Sequence, residues 1–170
     1  MGARVSLFEA TEIGHGGSGR NVGLVNAGLW LPPDEIIQKM GEETGPKLIA
    51  ALGVAPDHVF SLIAREKIAC EARRDGTLHC AHNASGFSDL QMRHRQGNRH
   101  GAPLQLLDGA EARRRTGSDA FAGALFDPRA GTIQPLSYAR GLARAAQAAG
   151  AQIFAPIAVE DIRHDGTGWL

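Results

Sequence analysis

Arg4-Val5-Ser6-Leu7-Phe8-Glu9-Ala10, running directly into the glycine-rich stretch from Thr11 to Gly28, decides how the rest of the chain is read. The first seven residues form a short apolar run that ends on a carboxylate, the pattern of a buried strand. The stretch behind it repeats glycine at 14, 16, 17, 19, 23 and 28 and reads as a functional loop. A carboxylate at the C-terminal end of an apolar strand is where nucleotide-binding α/β folds accept hydrogen bonds from a ribose, and two acceptor oxygens suit two hydroxyls. Glycine makes the loop's backbone N–H groups approachable, and Ser18 and Arg20 add a hydroxyl and a guanidinium suited to a pyrophosphate.

Gly14-His15-Gly16-Gly17-Ser18-Gly19 also spells G-x-G-x-x-G. That fingerprint needs its glycines directly between a strand and a helix. Here Thr11-Glu12-Ile13 intervene, and the stretch behind Arg20 holds too many glycines to open a helix well. An NAD-dependent dehydrogenase built on these six residues is therefore a rival reading that ranks below one built on Glu9.

Outward from the loop, 34–52 and 57–69 space their apolar residues at helical intervals, each opened by an aspartate near a proline. Asp75-Gly76, between strand-like runs, predicts a β-hairpin over 70–83. The stretch 88–100 reads as a polar helix, 103–107 as a strand, and Asp108-Gly109-Ala110-Glu111 as a cap opening a short basic helix. An extended segment over 122–134 is broken by Asp127-Pro128 and Ala130-Gly131. Pro135 to Gly150 is the clearest helix, with proline in its first turn, alanine throughout and glycine at its end. A strand over 152–155 follows, then a hairpin from Val159 through Asp165-Gly166 to Trp169-Leu170 that stops mid-strand. A chain ending on a half-formed apolar strand reads as one piece of a longer protein.

Composition narrows the function classes. The 170 residues balance 18 Lys and Arg with 18 Asp and Glu, and 43% are hydrophobic, which fits a globular protein and not a disordered one. Residues 65–115 carry ten Lys or Arg against six acids, but 88–120 offers no Phe, Tyr or Trp for stacking on a base, so no nucleic-acid partner is expected. Two cysteines make no disulfide framework. The composition shows no membrane span and the N-terminus no signal-peptide layout, and a cytoplasmic setting is expected. Gly2 and Ser6 meet a loose myristoylation pattern that reads better as the start of the strand. Of His79, Cys80, His82 and Cys70 only two or three could converge, too few for a zinc site, so no metal is expected. Ser18 lacks the neighbours of a hydrolase nucleophile.

The residues from Val5 to Gly28, V-S-L-F-E-A-x-x-I-G-x-G-x-S-G-R-N-x-G-L-V in outline, resemble the segment behind the first helix of the glycine oxidase and D-amino-acid oxidase superfamily. Ser18-Gly19-Arg20-Asn21 is most similar to the γ-glutamylputrescine oxidoreductase branch. The likeness continues through Cys70-Glu71, Gly76-Thr77-Leu78-His79, the run from Phe126 to Pro135, Tyr138 to Ala146, and Gly150-Ala151, so that it spans nearly the whole chain.

The resemblance implies an α/β fold of α+β character, in which part of a Rossmann-like FAD-binding domain is joined to part of an antiparallel-sheet substrate domain. Residues 1–30 and 135–170 would belong to the first, and 31–134 to a helical insertion and the second. It implies oxidation of a C–N bond in an amine or amino acid, with hydride passing to FAD, whose electrons then go to oxygen or another acceptor. Glu9 matches the ribose-binding acid, with Ala10 beside it. Gly17, Ser18, Val22, Gly23 and Leu24 match the loop around the phosphates and flavin, Arg20 and Asn21 are its neighbours, and Val159 matches the residue whose backbone meets the adenine. A covalent flavin link at His15 is the less favoured reading of that residue.

The family's first strand with its own glycine fingerprint and its later substrate-pocket segments have no counterpart in these residues. No catalytic residue is therefore assigned, since the cofactor carries the chemistry. The 170 residues alone are expected to bind FAD weakly and to turn nothing over without the remainder of the chain or a complementary polypeptide. The alternative in a different class is a short non-catalytic relative acting as a binding or interaction module.

Overall fold

The computed structural model describes residues 4–168. In chain order the elements are β1 (Ser6–Phe8), α1 (Gly17–Arg20), β2 (Leu24–Val25), α2 (Pro33–Gly53), α3 (Ala55–Arg65), β3 (Thr77–Ala81), α4 (Ala84–Arg99), β4 (Gln105–Asp108), α5 (Gly109–Thr116), β5 (Gly123–Asp127), β6 (Gly131–Thr132), α6 (Pro135–Ala148) and β7 (Gln152–Phe154). Helices and strands mix in the α/β manner expected. The chain divides into two compact units, each discontinuous in sequence: Met1–Gly23 with Ile63–Glu71 and Ile133–Leu170, and Leu24–Leu62 with Ala72–Thr132.

In the first unit β1 and β7 pair in parallel, with Ser6 opposite Gln152, Leu7 opposite Ile153 and Phe8 opposite Phe154. The Phe8 and Phe154 rings stack with centroids 5.2 Å apart, which adds a cross-strand aromatic contact to a two-stranded ribbon. Helix α6 forms where alanine and a first-turn proline favour it, and the Gln134 side chain caps it by accepting from the Ser137 N–H. It packs closely on Ile68, because Gly141 is buried and a Cβ there would collide with the Ile68 side chain.

In the second unit β3, β5 and β4 form an antiparallel sheet with β5 central. Successive strand residues face opposite sides, and both faces of β5 are covered. Leu125 joins Ala81 and Leu90 of α4 on one side, while Ala124 joins Leu107 and Ala112 of α5 on the other. Leu90, only 2% exposed, anchors the first cluster, and burying such a side chain stabilises the unit by about 1.5–3 kcal/mol. Both helices start on side-chain caps: Asn83 Oδ1 accepts from the Gly86 N–H at 2.8 Å, and Asp108 Oδ1 from the Glu111 N–H at 2.8 Å. The Asp108 cap is the one the sequence predicts.

Two expectations change. The hairpin over 70–83 does not form. Strand β3 pairs instead with β5, with Thr77 opposite Asp127, while Arg73 bridges Thr132, Gly76 N–H donates to Ala130 and Cys70 carbonyl accepts from Gln134. Asp75-Gly76 is a bend at which the chain changes partners, and Gly76 takes φ 82° there. Second, no strand forms over 159–162; Asp165 closes a tight turn by accepting from Thr167 and Gly168, and Trp169-Leu170 lies outside the described residues.

Pro33–Arg65 contains an 18-residue window of mean hydropathy 1.4, of which 11% is buried, so by length and composition alone it could cross a membrane. It is two helices meeting at Val54, the first kinked at Gly41, where φ is 83°. One such run is weak grounds for a membrane span, since core helices of soluble proteins pass the same test.

Candidate functional site

Glu9 stands at the end of β1 with its backbone fixed on both sides. Its N–H donates to the Phe154 carbonyl at 2.9 Å, and its own carbonyl accepts from the Ile157 N–H at 2.8 Å. The carboxylate is partly exposed and is held by the next residue but one: the Thr11 N–H and hydroxyl donate to Oε1 at 3.0 and 3.1 Å. The Thr11 N–H above all holds the Glu9 carboxyl below its usual range; burial opposes it, second in size, and the Thr11 hydroxyl and nearby His15 add smaller effects in the same direction as the N–H. It is thus an ionised acceptor at neutral pH, and ionised acceptors bind hydroxyl donors more strongly than neutral ones.

The loop behind Glu9 is shaped by its own contacts. A Cβ on Gly19 would collide with the Gly14 carbonyl, and one on Gly14 would lie 2.7 Å from Leu136 of α6. These two glycines of the G-x-G-x-x-G letters therefore serve close packing, and the element they enclose is the single turn of α1. At Gly16 and Gly17 a Cβ would meet nothing within 4 Å, so this part of the loop is open. Ser18 and Arg20 lie on the same turn, and neither side chain has a hydrogen-bond or ion-pair partner among the described residues.

Asn21 has a different place. Its amide Nδ2 donates to the Gly17 carbonyl at 2.9 Å and to Ser18 at 3.2 Å, while its Oδ1 accepts from the Gly23 N–H at 2.8 Å. Both ends of the side chain thus clip the loop to itself. Val22 is 84% exposed. Gly23 is buried at φ 75°, its carbonyl accepting from the Ile133 N–H at 2.9 Å, and a Cβ there would strike the Ile133 carbonyl. Ala10 follows Glu9 and is exposed, and Val159, 55% exposed, lies two residues beyond Ile157, the residue that reaches Glu9. Glu9, Ala10, Gly17, Ser18, Arg20, Asn21, Val22, Gly23 and Val159 thus share the first unit. Leu24 belongs to the second, in β2 opposite Thr132.

The second unit holds a cavity of about 840 Å³ lined by Leu24, Trp30, Ile36, Leu78, His79 and Arg93 among others. Arg93 bonds Asp89 at 2.7 Å and also donates to the Trp30 carbonyl, while the His79 ring meets the Trp30 ring edge-on at 5.1 Å. Burial, reinforced by the Arg93 charge, lowers the pKa of His79 and favours its neutral ring. Volume and mainly apolar walls suit a small organic molecule. Motif reading missed this cavity because its walls are scattered over 24–132, and missed Thr11, although a threonine two residues behind a carboxylate is a local hydrogen-bond signal. Among the described residues no group of three His, Cys, Asp or Glu side chains is placed to hold a metal; His79 turns to Trp30 and His82 to Phe121.

Compared with known proteins, residues 1–170 match the family model described as "FAD dependent oxidoreductase". The chain belongs to the FAD-dependent oxidoreductase family. γ-Glutamylputrescine oxidoreductase of Escherichia coli (strain K12) is 33% identical over 164 residues, 96% of this chain and 38% of that protein. A probable oxidoreductase, OrdL, of Haemophilus influenzae is 31% identical over 163 residues, again 38% of its length. The crystal structure of glycine oxidase from Geobacillus kaustophilus superposes with a TM-score of 0.77 at 26% identity, covering 98% of this chain and 44% of that one. The chain therefore has the fold of FAD-dependent oxidoreductases and spans under half the length of these relatives.

Proposed function

We propose that this chain forms the cofactor-gripping part of an FAD-dependent oxidoreductase that oxidises a C–N bond in an amine or amino acid. The observation that carries the proposal is Glu9: an ionised carboxylate at a strand end, fixed through its backbone by β7, beside an open glycine turn with Ser18 and Arg20 uncommitted. That donor and acceptor set fits FAD, since Glu9 offers the acceptor for ribose hydroxyls, and Ser18 and Arg20 offer a hydroxyl and a cation for the pyrophosphate. Gly17, Val22, Gly23 and Leu24 would line the path of the loop around the cofactor, with Ala10 near the ribose and Val159 near the adenine. Asn21 acts by holding the loop's shape. When bound, FAD supplies the hydride acceptor.

In this assignment 1–30 and 135–170 form the cofactor domain, and 31–134 the helical insertion and part of the substrate domain. The cavity beside Trp30 and His79 is the substrate side, where apolar walls exclude water from the amine. Relatives named as an amine-compound oxidoreductase and a glycine oxidase support that substrate class. Among the described residues Cys70 and Cys80 form no disulfide, and a reducing, cytoplasmic setting is part of the proposal. The remainder of the enzyme, in the same polypeptide or a complementary one, would complete the flavin site, and the 170 residues alone should show no turnover.

The test is FAD titration followed by flavin fluorescence. Binding that Glu9→Ala abolishes supports the proposal. A chain that melts cooperatively, ignores FAD and behaves identically with Glu9→Ala would favour a non-catalytic interaction module, and protection by NAD in place of FAD would favour the dehydrogenase reading.

A further inference from the structure

We propose that Thr11 is a positioning residue for the cofactor: it occupies one oxygen of Glu9 so that the other is presented, in fixed orientation, to the ligand's hydroxyls. This presupposes the FAD-binding role proposed above for Glu9. Both bonds from Thr11, at 3.0 Å from the N–H and 3.1 Å from the hydroxyl, end on Oε1. A carboxylate oxygen has about two lone-pair sites, so one residue fills Oε1 completely. Oε2 accepts no hydrogen bond of normal geometry among the described residues. The picture of one ribose hydroxyl on each oxygen therefore gives way to one in which Oε2 receives them and Oε1 is the anchor.

The anchoring is useful because the rest of Glu9 is already immobile. Phe154 and Ile157 hold its N–H and carbonyl at 2.9 and 2.8 Å, which leaves side-chain rotation as the remaining freedom, and Thr11 removes it. An acceptor oriented before the ligand arrives loses less rotamer freedom on binding. The groups around the carboxylate are few. His15 adds a favourable charge and the Ala10 N–H a weak pull, while Glu12, which would repel it, is paired with Arg140 at 3.1 Å.

The test combines two measurements on the 170-residue chain and its T11V, T11S and E9Q variants: the carboxyl titration of Glu9 by carbon NMR without ligand, and FAD binding by fluorescence. T11V keeps the main-chain bond and loses the hydroxyl, so it should raise the Glu9 titration midpoint and weaken FAD about three- to tenfold. T11S should restore both, which a merely structural role for the threonine methyl would not do. If T11V binds FAD as tightly as the parent or more tightly while E9Q loses binding, Thr11 only fills the ligand's place and the proposal is overturned. An unchanged Glu9 midpoint in T11V overturns it as well. Failure of the parent chain to bind FAD, or equal binding by E9Q, removes the role of Glu9 itself, a different failure recognised because the ligand-free midpoint of T11V would still shift.

Discussion

Arg140 Nη2 lies 3.1 Å from Glu12 Oε2, joining α6 to the loop behind β1 across 128 positions of sequence. The two side chains are 47% and 66% exposed, and water screens such a pair to about 0–1 kcal/mol. Arg140→Ala should therefore cost less than about 1 kcal/mol in urea denaturation, and less still in high salt. A loss several times larger would mean that the ion pair, and not the packing of Gly14 and Gly19, holds the loop.

That packing makes a sharper prediction. A Cβ at Gly19 would run into the Gly14 carbonyl, whereas one at Gly17 would enter open space. Gly19→Ala should destabilise the chain by about 1–3 kcal/mol, the usual cost of forcing atoms into a packed contact. Gly17→Ala should change stability by no more than about 1 kcal/mol. Paired thermal melts decide it, and equal melting of the two variants would contradict the loop geometry.

Leu90 is the most deeply buried large side chain of its cluster, in contact range of Ala81 and Leu125. Leu90→Ala should cost about 2–5 kcal/mol, combining lost transfer energy with the cavity left behind. A smaller loss in denaturant titration would show that α4 can collapse onto the sheet.

His79 should make the second unit sensitive to mild acid. Its folded pKa lies below the ordinary 6.5 because of burial and then the Arg93 charge, with Asp89 opposing, so the unfolded chain takes up the proton first as pH falls. The stabilisation is complete above about pH 6.5 and is lost as pH drops toward and through the folded value. The ring touches Trp30, so Trp30 emission should change with a midpoint below 6.5. His79→Asn should remove that step, and a midpoint above 6.5 would contradict the burial argument.

What the sequence makes legible depends on distance along the chain. The cap Asp108 and the helix opened by Pro135 are local signals that read correctly; the strand ahead of Glu9 reads correctly in place but not in burial, since β1 is exposed, with Leu7 44% and Phe8 49% accessible. The 70–83 hairpin misleads because Asp75-Gly76 is a local turn signal, whereas the partner of Thr77 is Asp127, and sheet pairing over that span leaves no mark on the nearby residues. The glycine letters at 14–19 mislead in another way: close packing on a helix more than a hundred residues later demands glycine as strictly as a phosphate does. The cavity beside Trp30 is invisible for the same reason. Asn21 reads as a loop residue, but only the three bonds it makes to Gly17, Ser18 and Gly23 show that it clips the loop to itself.

The hydrogen bonds that Glu9 makes with Phe154 and Ile157 also bear on the order of synthesis. The strand that fixes Glu9 is made well after it, since Phe154 follows it by 154 − 9 = 145 positions. At translation speeds of about 5–20 residues per second, the acid waits on the order of ten seconds for its support. A nascent chain stalled before β7 would display Glu9 and the whole glycine loop and still lack a grip. On the proposed role of Glu9, cofactor loading would wait until β7 is made.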